Sequence, residues 1–250
     1  MRIDILTIFP ALLESPLQES IIRRARQAGQ VDIHISNIRD FAEDKHAMTD
    51  DRPFGGGEGM VMKPEPLAAA IRNAGSAGRG RVIMMSPQGR RYDQIAADRL
   101  AEEEHLILLC GRYEGIDQRI ISDFVDEEIS IGDYILTGGE LAALVVIDSI
   151  VRLLPGVLGC EDSATNDTFS RGLLKHPQYT RPRQFEGSDV PEVLLSGDHK
   201  AIEDWRFLAA VRQTLLKRPE LFDKVTFTKQ ETTLLKKHGL WPEIQEARHP

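Results

Sequence analysis

Glycines in the segment from Leu106 to Gly159 stand where short apolar runs end and where a helical pattern begins. Two side chains that could contact a ligand, Tyr113 and Glu114, closely follow the first of these runs. Glycine at such points lets a backbone approach another backbone or a ligand without an intervening Cβ atom. The spacing fits neither the GxGxxG dinucleotide motif nor a GxxxxGK phosphate loop. The segment therefore predicts a ligand site built mainly from main-chain groups.

Two further loops have the same character. A turn is predicted at Ser86–Gly89 after an apolar run, and a glycine-rich stretch covers Ser130–Glu140. If the three preceding strands are neighbours, their loops converge at the carboxyl edge of the sheet, where ligands bind in open α/β folds. Because no basic cluster stands near them, a cofactor that carries adenine but no phosphate suits such a pocket. An ordinary strand-to-helix turn at 106–119 is the alternative interpretation.

The elements that must position these loops alternate between apolar runs and helical patterns, which predicts an α/β fold with a mostly parallel sheet. Strands are predicted at Ile3–Phe9, Val31–Asn37, Val82–Ser86, Leu106–Cys110, Glu128–Ser130 and Tyr134–Leu136. Helices are predicted at Ser15–Ala28, Pro64–Ala74, Tyr92–Ala101, Ile116–Phe124, Gly139–Leu153, Asp198–Lys217 and Thr228–His238. The apolar periodicity stops after residue 160, so we expect a domain at 1–160, a flexible linker at 161–182 and a helical domain at 183–250.

Composition excludes several classes of protein. With 41% hydrophobic and 28% charged residues, the chain resembles an ordinary globular protein. Asp4 and Pro10 interrupt the first apolar run, which argues against a signal peptide, and no apolar stretch reaches the roughly 18 residues of a membrane span. Two cysteines are too few for a disulfide framework, and the histidines lack zinc-site spacing. We expect a soluble cytoplasmic protein in which Cys110 is a small buried hydrophobic residue.

Charge is distributed unevenly. The net charge is −8, but residues 171–250 carry 14 Lys and Arg against 11 Asp and Glu, a balance of +3. The first 170 residues hold the remaining balance of −11. Such asymmetry indicates nucleic-acid contact by the less acidic part, although a mixed-charge helical surface would give the same counts.

Six short motifs carry a family resemblance: SPQGR at 86–90, LCGRYEGID at 109–117, SIGDYILTGGELA at 130–142, PGVLG at 155–159, DDRPFGGGEGM at 50–60 and HPQYTRP at 176–182. Together they resemble the bacterial tRNA (guanine-N1)-methyltransferases, essentially from end to end. The resemblance implies a SPOUT-type α/β domain with a deep trefoil knot, a small helical tRNA-binding domain and a homodimer. It implies methyl transfer from S-adenosyl-L-methionine to N1 of guanosine 37, just 3′ of the anticodon. The sequence departs from many relatives at Ala142 and Met84.

The resemblance also implies which residues bind the methyl donor. They are Ser86, Pro87, Gly111, Tyr113, Glu114, Ser130, Ile131, Gly132, Tyr134, Leu136, Gly138 and Gly139. These residues coincide with the three loops identified from their glycines. By resemblance the loop Asp50–Gly59 lines the guanine pocket, while a plain flexible loop is the alternative. A dependence on Mg²⁺ is possible but has no assigned residues.

The reaction itself demands two further groups. N1 of guanine carries a proton at neutral pH, so a general base must accept it, and charge that develops on O6 needs a cationic partner. The resemblance points to Asp167 as the base and to Arg152 as the partner of O6. Without it, Asp167 would be interpreted as a capping or turn residue and Arg152 as a favourable charge at a helix C-terminus. Because an exposed aspartate is a weak base, we expect the linker to close over the guanine. The resemblance implies that the linker reaches across the dimer.

Basic side chains of the second half are the expected phosphate contacts: Lys175, Arg181, Arg183, Arg206, Arg212, Lys217 and Arg218. For each of them individually, a role in a salt bridge alone is the alternative. Two other functions compete with the one above. The chain could be a knotted methyltransferase that modifies another RNA atom, such as a ribose 2′-hydroxyl. It could also be a non-catalytic RNA-binding protein that has kept the fold.

Overall fold

The computed structural model describes residues 1–76, 78–158, 168–169 and 171–248. The chain divides into two compact units, Met1–Glu161 and Asp162–Pro250. Each unit has its own hydrophobic core. Within the described ranges, no helix combines the length and the apolar character that crossing a membrane requires.

The first unit is built around a five-stranded sheet in which every neighbouring pair of strands is parallel. The strands of this unit are β1 Arg2–Thr7, β2 Asp32–Asn37, β3 Asp50–Asp51, β4 Val61–Met62, β5 Arg81–Arg91, β6 His105–Cys110 and β7 Glu127–Ser130. The order across the sheet is β2-β1-β6-β5-β7, while β3 and β4 form a separate antiparallel pair. The predicted α/β class with a mostly parallel sheet is confirmed.

Helices cover both faces of this sheet. They are α1 Ala11–Glu14, α2 Ser20–Gln27, α3 Pro64–Gly75, α4 Gln94–Ala101, α5 Gln118–Phe124 and α6 Glu140–Val151. Along β6, Leu106 and Leu108 belong to the cluster that includes α2, α4 and α6, whereas Ile107 and Leu109 belong to the cluster that includes α3 and α5. Burial on both faces explains why these strands are continuously apolar and do not alternate with polar residues.

Three predicted elements differ from the structure. The helix predicted at Ser15–Ala28 begins only at Ser20, because Leu17 packs into the core within a short 3-10 turn and Glu19 is extended. The strand predicted at Tyr134–Leu136 is wrong: the segment is irregular, and the Ile135 side chain is 80% exposed. The turn predicted at Ser86–Gly89 is instead an irregularity inside the long strand β5.

The second unit is mainly helical. Its elements are β8 Gln184–Phe185, β9 Ser188–Asp189, α7 His199–Lys217, α8 Lys229–Lys237 and α9 Trp241–Arg248. The side chain of Asp198 caps α7 by accepting a hydrogen bond from the Ala201 N–H, and Thr228 and Glu231 form a capping box at α8. These caps fix the two helix starts that the sequence predicts.

Part of the segment predicted as a linker packs into this second unit. Leu173 is buried among the apolar side chains of the second core, and the Leu174 N–H donates to Thr214 Oγ1 at 3.0 Å. The Arg171 guanidinium contacts Glu231 at 2.6 Å. Residues 171–174 therefore pack as part of the second compact unit, although they precede residue 183.

Candidate functional site

A cavity of about 430 Å³ opens in the first unit where β5, β6 and β7 lie side by side. Its volume falls within the roughly 300–1,000 Å³ of small-molecule sites. All twelve residues predicted to bind the methyl donor line this cavity: Ser86, Pro87, Gly111, Tyr113, Glu114, Ser130, Ile131, Gly132, Tyr134, Leu136, Gly138 and Gly139. The convergence follows from the sheet order, which makes the three strands immediate neighbours.

The first wall of the cavity comes from the middle of β5. Both Met85 and Arg90 of this strand pair with Ile129 of β7, so the four residues between them bulge out of the ladder. Within the bulge, the Gln88 N–H donates to Ser86 Oγ at 3.2 Å. The bulge turns Ser86, Pro87 and Gln88 toward the cavity without ending the strand.

The second wall follows the end of β6. Its residues 112–115 form a tight turn in which the Gly115 N–H donates to the Arg112 carbonyl at 3.1 Å. Tyr113 occupies the left-handed region with φ of 60°, which non-glycine residues seldom adopt and which costs about 1–3 kcal/mol. The residue is 47% exposed and lines the cavity. A strained, exposed aromatic residue at a cavity is typical of a ligand-binding position.

The third wall runs from the end of β7 to the start of α6. Ser130 Oγ donates to the Gly132 carbonyl at 3.1 Å, and the Tyr134 N–H donates to that same carbonyl at 3.0 Å. At the other end of the wall, the Gly139 N–H donates to the Gly111 carbonyl at 3.0 Å, which ties the third wall to the second. The backbone of this wall is thus held in place at both ends.

Cys110 lies beneath these walls. The side chain is fully buried, and burial raises the pKa of the thiol well above its ordinary value. The prediction that Cys110 is a small buried hydrophobic residue is confirmed. Cys160 lies outside the described residues.

Charge in the cavity is dominated by one ion pair and two carboxylates. Among the described lining residues, Arg112 is the cationic one, and its guanidinium contacts the buried carboxylate of Glu140 at 3.0 Å. Glu114 and Glu128 also line the cavity, and one oxygen of Glu128 is buried without a hydrogen-bond partner. Because its single cation is neutralised, the cavity is poorly suited to a phosphate group and better suited to a ligand with positive charge.

The glycine-rich loop at 50–60 is attached to the second wall. The Glu114 N–H donates to the Met60 carbonyl at 3.0 Å, and the Met62 N–H donates to the Gly115 carbonyl at 2.9 Å. A Cβ atom on Gly59, whose φ is 75°, would lie 2.5 Å from Glu114 Cγ. The positive φ therefore favours glycine at position 59, and a larger residue there would also have to displace the exposed Glu114 side chain.

Comparison with known proteins adds a second line of evidence. Residues 1–224 match the family described as tRNA (Guanine-1)-methyltransferase TrmD. The chain belongs to this family. Proteins named tRNA (guanine-N(1)-)-methyltransferase from Geobacillus kaustophilus and Moorella thermoacetica are 53% and 52% identical to it, each over 94% of this chain and 97% and 95% of their own lengths. The one from Geotalea uraniireducens is 55% identical over 88% of this chain and 90% of its own length.

Membership of the family confirms the resemblance from which Asp167 and Arg152 were predicted as catalytic residues. Asp167 lies outside the described residues. Arg152 directly follows the last residue of α6, is half-buried and has contacts of its own, and it does not line the cavity. Arg152 follows Gly139 by 13 positions across α6, so at about 1.5 Å per residue it stands roughly 20 Å along the helix from Gly139.

A larger, more open cavity of about 1,170 Å³ lies within the second unit between α7, α8 and the segment near residue 175. Its basic lining residues are Arg171, Lys175, Lys200, Arg206, Lys229 and Lys237, against the acidic Glu203, Asp204 and Glu231. Within the described ranges, Arg171 forms an ion pair with Glu231 and Lys200 forms one with Asp204. Of the predicted phosphate contacts, Lys175 and Arg206 line this cavity, whereas Arg218 pairs with Glu220.

Sequence reasoning left six charged or polar residues of the first cavity out of the predicted site, Gln88 and Thr137 among them. Arg112, Gln118 and Glu128 line it, and Glu140 lies behind it. One signal was available, because Glu140 is a carboxylate that directly precedes the apolar run 141–147, and a carboxylate buried with such a run needs a partner. Across the described part of the chain, no group of three His, Cys, Asp or Glu side chains is placed to hold a metal ion.

Proposed function

We propose that this protein transfers a methyl group from S-adenosyl-L-methionine to N1 of guanosine 37, the nucleotide just 3′ of the tRNA anticodon. The observation that carries the proposal is the convergence of all twelve residues predicted for the methyl donor on one cavity. It is supported by membership of a family whose relatives are named tRNA (guanine-N(1)-)-methyltransferase. We expect the reaction in the cytoplasm, where tRNA is used.

The cavity fits the chemistry of this donor. S-adenosyl-L-methionine supplies a methyl group activated by a sulfonium cation, and it contains adenine but no phosphate. Carboxylates of Glu114 and Glu128 line the cavity, and its arginine is neutralised by Glu140, so the charge balance favours a cationic ligand. Backbone groups of the third wall, around Gly132 and Leu136, are the proposed partners of the adenine edge.

The proton on N1 must leave before or as the methyl group arrives. We assign its acceptance to Asp167, whose carboxylate would act as the general base. Arg152 would stabilise the negative charge that develops on O6. The glycine-rich loop at 50–60, attached to the second wall beside Glu114, would hold the guanine close to the donor cavity.

We propose that the active protein is a homodimer with shared sites. Because Arg152 stands roughly 20 Å along α6 from the cavity edge at Gly139, it would reach a guanine at that cavity from a second copy of the chain. Asp167 would come from a second copy as well, through the segment that joins the two units. We also propose that the first unit contains the trefoil knot of the family; the chain crosses from β6 past β5 to β7, which is compatible with it.

The second unit is the proposed tRNA-binding part. Its cavity is lined by six basic and three acidic side chains, and the C-terminal 80 residues have a net positive balance. Phosphate contacts made by such side chains position a nucleic acid without reading its sequence.

The function is tested by incubation with labelled S-adenosyl-L-methionine and two tRNAs that differ only in the nucleotide after the anticodon. We expect label in the tRNA that carries guanine there and none in the one that carries adenine, with 1-methylguanosine released on nuclease digestion. Equal labelling of both tRNAs, or a 2′-O-methylated nucleoside, would count against the proposal.

Shared sites are tested by mixing two inactive variants. One chain carries Asp167→Ala, and the other carries Gly139→Ala, which disturbs the donor cavity but leaves Asp167 intact. A mixed dimer would hold one site with a wild-type cavity and a wild-type Asp167, so activity should return on mixing. Complete inactivity of a mixture shown to contain mixed dimers would rule out shared sites.

A further inference from the structure

One carboxylate lies directly behind the methyl-donor cavity. Glu140 is the first residue of α6, its side chain is 1% exposed, and it does not line the cavity itself. A carboxylate removed from water this completely is stable only if charged and hydrogen-bonding partners surround it. The partners of Glu140 show what it holds in place.

Two elements far apart in the sequence meet at this carboxylate. Thr7, the last residue of β1, donates its hydroxyl hydrogen to Glu140 Oε1 at 2.7 Å and accepts a hydrogen bond from the Phe9 N–H at 2.9 Å. On the other side, Arg112 Nη2 and Nε lie 3.0 Å and 3.1 Å from Glu140 Oε2. The carboxylate therefore connects the end of β1 to the second wall of the cavity.

Arg112 is fixed on its remaining sides as well. Its Nη1 donates to the Thr137 carbonyl at 3.1 Å, and its Cζ lies 4.5 Å from the centre of the Phe9 ring. A Cβ atom on Gly138 would collide with the guanidinium, so the backbone of the third wall lies directly against it. Thr137 and Gly138 line the cavity, and Arg112 joins them to the wall that carries Gly111 and Tyr113.

We propose that Glu140 is a positioning residue for the methyl-donor site. It orients Arg112, and Arg112 in turn holds the second and third walls at the separation that the donor requires. The inference rests on the proposed function, since it assumes that this cavity binds S-adenosyl-L-methionine. Glu140 itself touches neither donor nor tRNA, so its loss should weaken donor binding and leave tRNA binding unchanged.

The test uses the full-length protein with Glu140→Gln, which preserves volume and one acceptor but removes the charge. Hydrogen bonds to a charged group are worth more than neutral ones, so we expect the Kd and the KM for S-adenosyl-L-methionine to rise about 10-fold or more. The kcat at saturating donor and the KM for tRNA should stay within about twofold of wild type, because the interaction acts on donor binding alone.

Asp4→Asn is the matched control. Asp4 is a buried carboxylate of β1, three residues before Thr7; its side chain is 3% exposed, and Arg2 and His105 hold it at 2.7 Å. This variant also loses a buried charge and should lose stability in urea. It should keep the wild-type KM for the donor, because Asp4 contacts neither wall of the cavity.

A double-mutant cycle distinguishes positioning from a general loss of packing. If Glu140 acts through Arg112, adding Glu140→Gln to Arg112→Ala should change the Kd for the donor by less than about twofold. If Glu140→Gln does not fold, Thr7→Val removes one hydrogen bond from the same carboxylate and should raise the Kd more modestly. Thr7→Ser keeps the hydroxyl and should restore wild-type binding.

The outcomes separate this inference from the proposed function. Calorimetry that detects no binding of S-adenosyl-L-methionine to the wild-type protein overturns both. If the wild-type protein binds it, and Glu140→Gln and Thr7→Val bind it equally well, only the positioning role is overturned. The positioning role is also overturned if Asp4→Asn raises the KM for the donor as much as Glu140→Gln does.

Discussion

Alanine at position 139 is a steric probe of how closely the third wall packs on the sheet. A Cβ atom there would lie 2.8 Å from the Cα of Cys110 and 3.0 Å from the Cβ of Met85. Gly139 has φ of −78° and ψ of −8°, a conformation that alanine adopts without strain. Any loss of stability in Gly139→Ala should therefore come from steric overlap of the new Cβ atom with β5 and β6, and not from backbone strain.

The size of the effect follows from which atoms must move. A backbone atom of β6 and a core atom of β5 cannot rotate away as the end of a flexible side chain would, so the start of α6 must shift off the sheet. Overpacking of this kind costs about 1–3 kcal/mol. We expect the free energy of unfolding, measured by urea titration with an unchanged m-value, to fall by that amount.

Gly111→Ala is the matched control from the same cavity. A Cβ atom at Gly111 would lie 3.5 Å from Ile116 Cγ2 and 3.7 Å from Met84 Cε, which is ordinary van der Waals contact. Since alanine has less freedom in the unfolded chain, this variant should match wild-type stability or exceed it by about 0.4–1 kcal/mol. A Gly139→Ala protein as stable as wild type, or an equal loss in Gly111→Ala, would refute the packing argument.

Three further predictions follow from the two units. Burial raises the pKa of Tyr92 to about 12, although its hydroxyl is hydrogen-bonded to Ser149, so the neutral phenol contributes stability that is present below pH 10 and lost as the pH rises toward 12. In Tyr92→Phe the free energy of unfolding should therefore fall less steeply over this pH range than in the wild type. An identical slope in the two proteins would contradict this prediction. In a Cys160→Ser variant, the buried Cys110 should react with a thiol reagent only after denaturation, and rapid labelling of the native protein would disprove this. Arg206→Ala should weaken tRNA binding and lower the slope of log K against log salt by about one, whereas an unchanged slope would remove Arg206 from the phosphate contacts.

The sheet was predictable from the sequence because its strands are buried on both faces. Continuous apolar runs such as Leu106–Cys110 identify such strands, and β6 is found at His105–Cys110. The same apolar pattern gave a wrong prediction at Tyr134–Leu136, because these residues line the cavity and do not pair with a strand of the sheet. Apolar pattern alone does not distinguish a side chain that packs in a sheet from one that faces a ligand.

The candidate cavity was predictable to the extent that glycines and motifs identify its loops. What sequence spacing could not give was the contact between Thr7 and Glu140, which are separated by 133 positions. Contacts of this range depend on the order of strands in the sheet, and here that order places β1 beside β6. The bulge in β5 was likewise hidden, since Ser-Pro-Gln-Gly has the composition of a turn.

The central claim is that three loops of the first unit form one site for S-adenosyl-L-methionine. A crystal structure of the protein grown with this compound tests it most directly. The account predicts electron density for one molecule per chain between Ser86, Tyr113 and Leu136, with the adenine against the backbone of the third wall. Density for the donor elsewhere on the chain, with this cavity empty, would contradict the account.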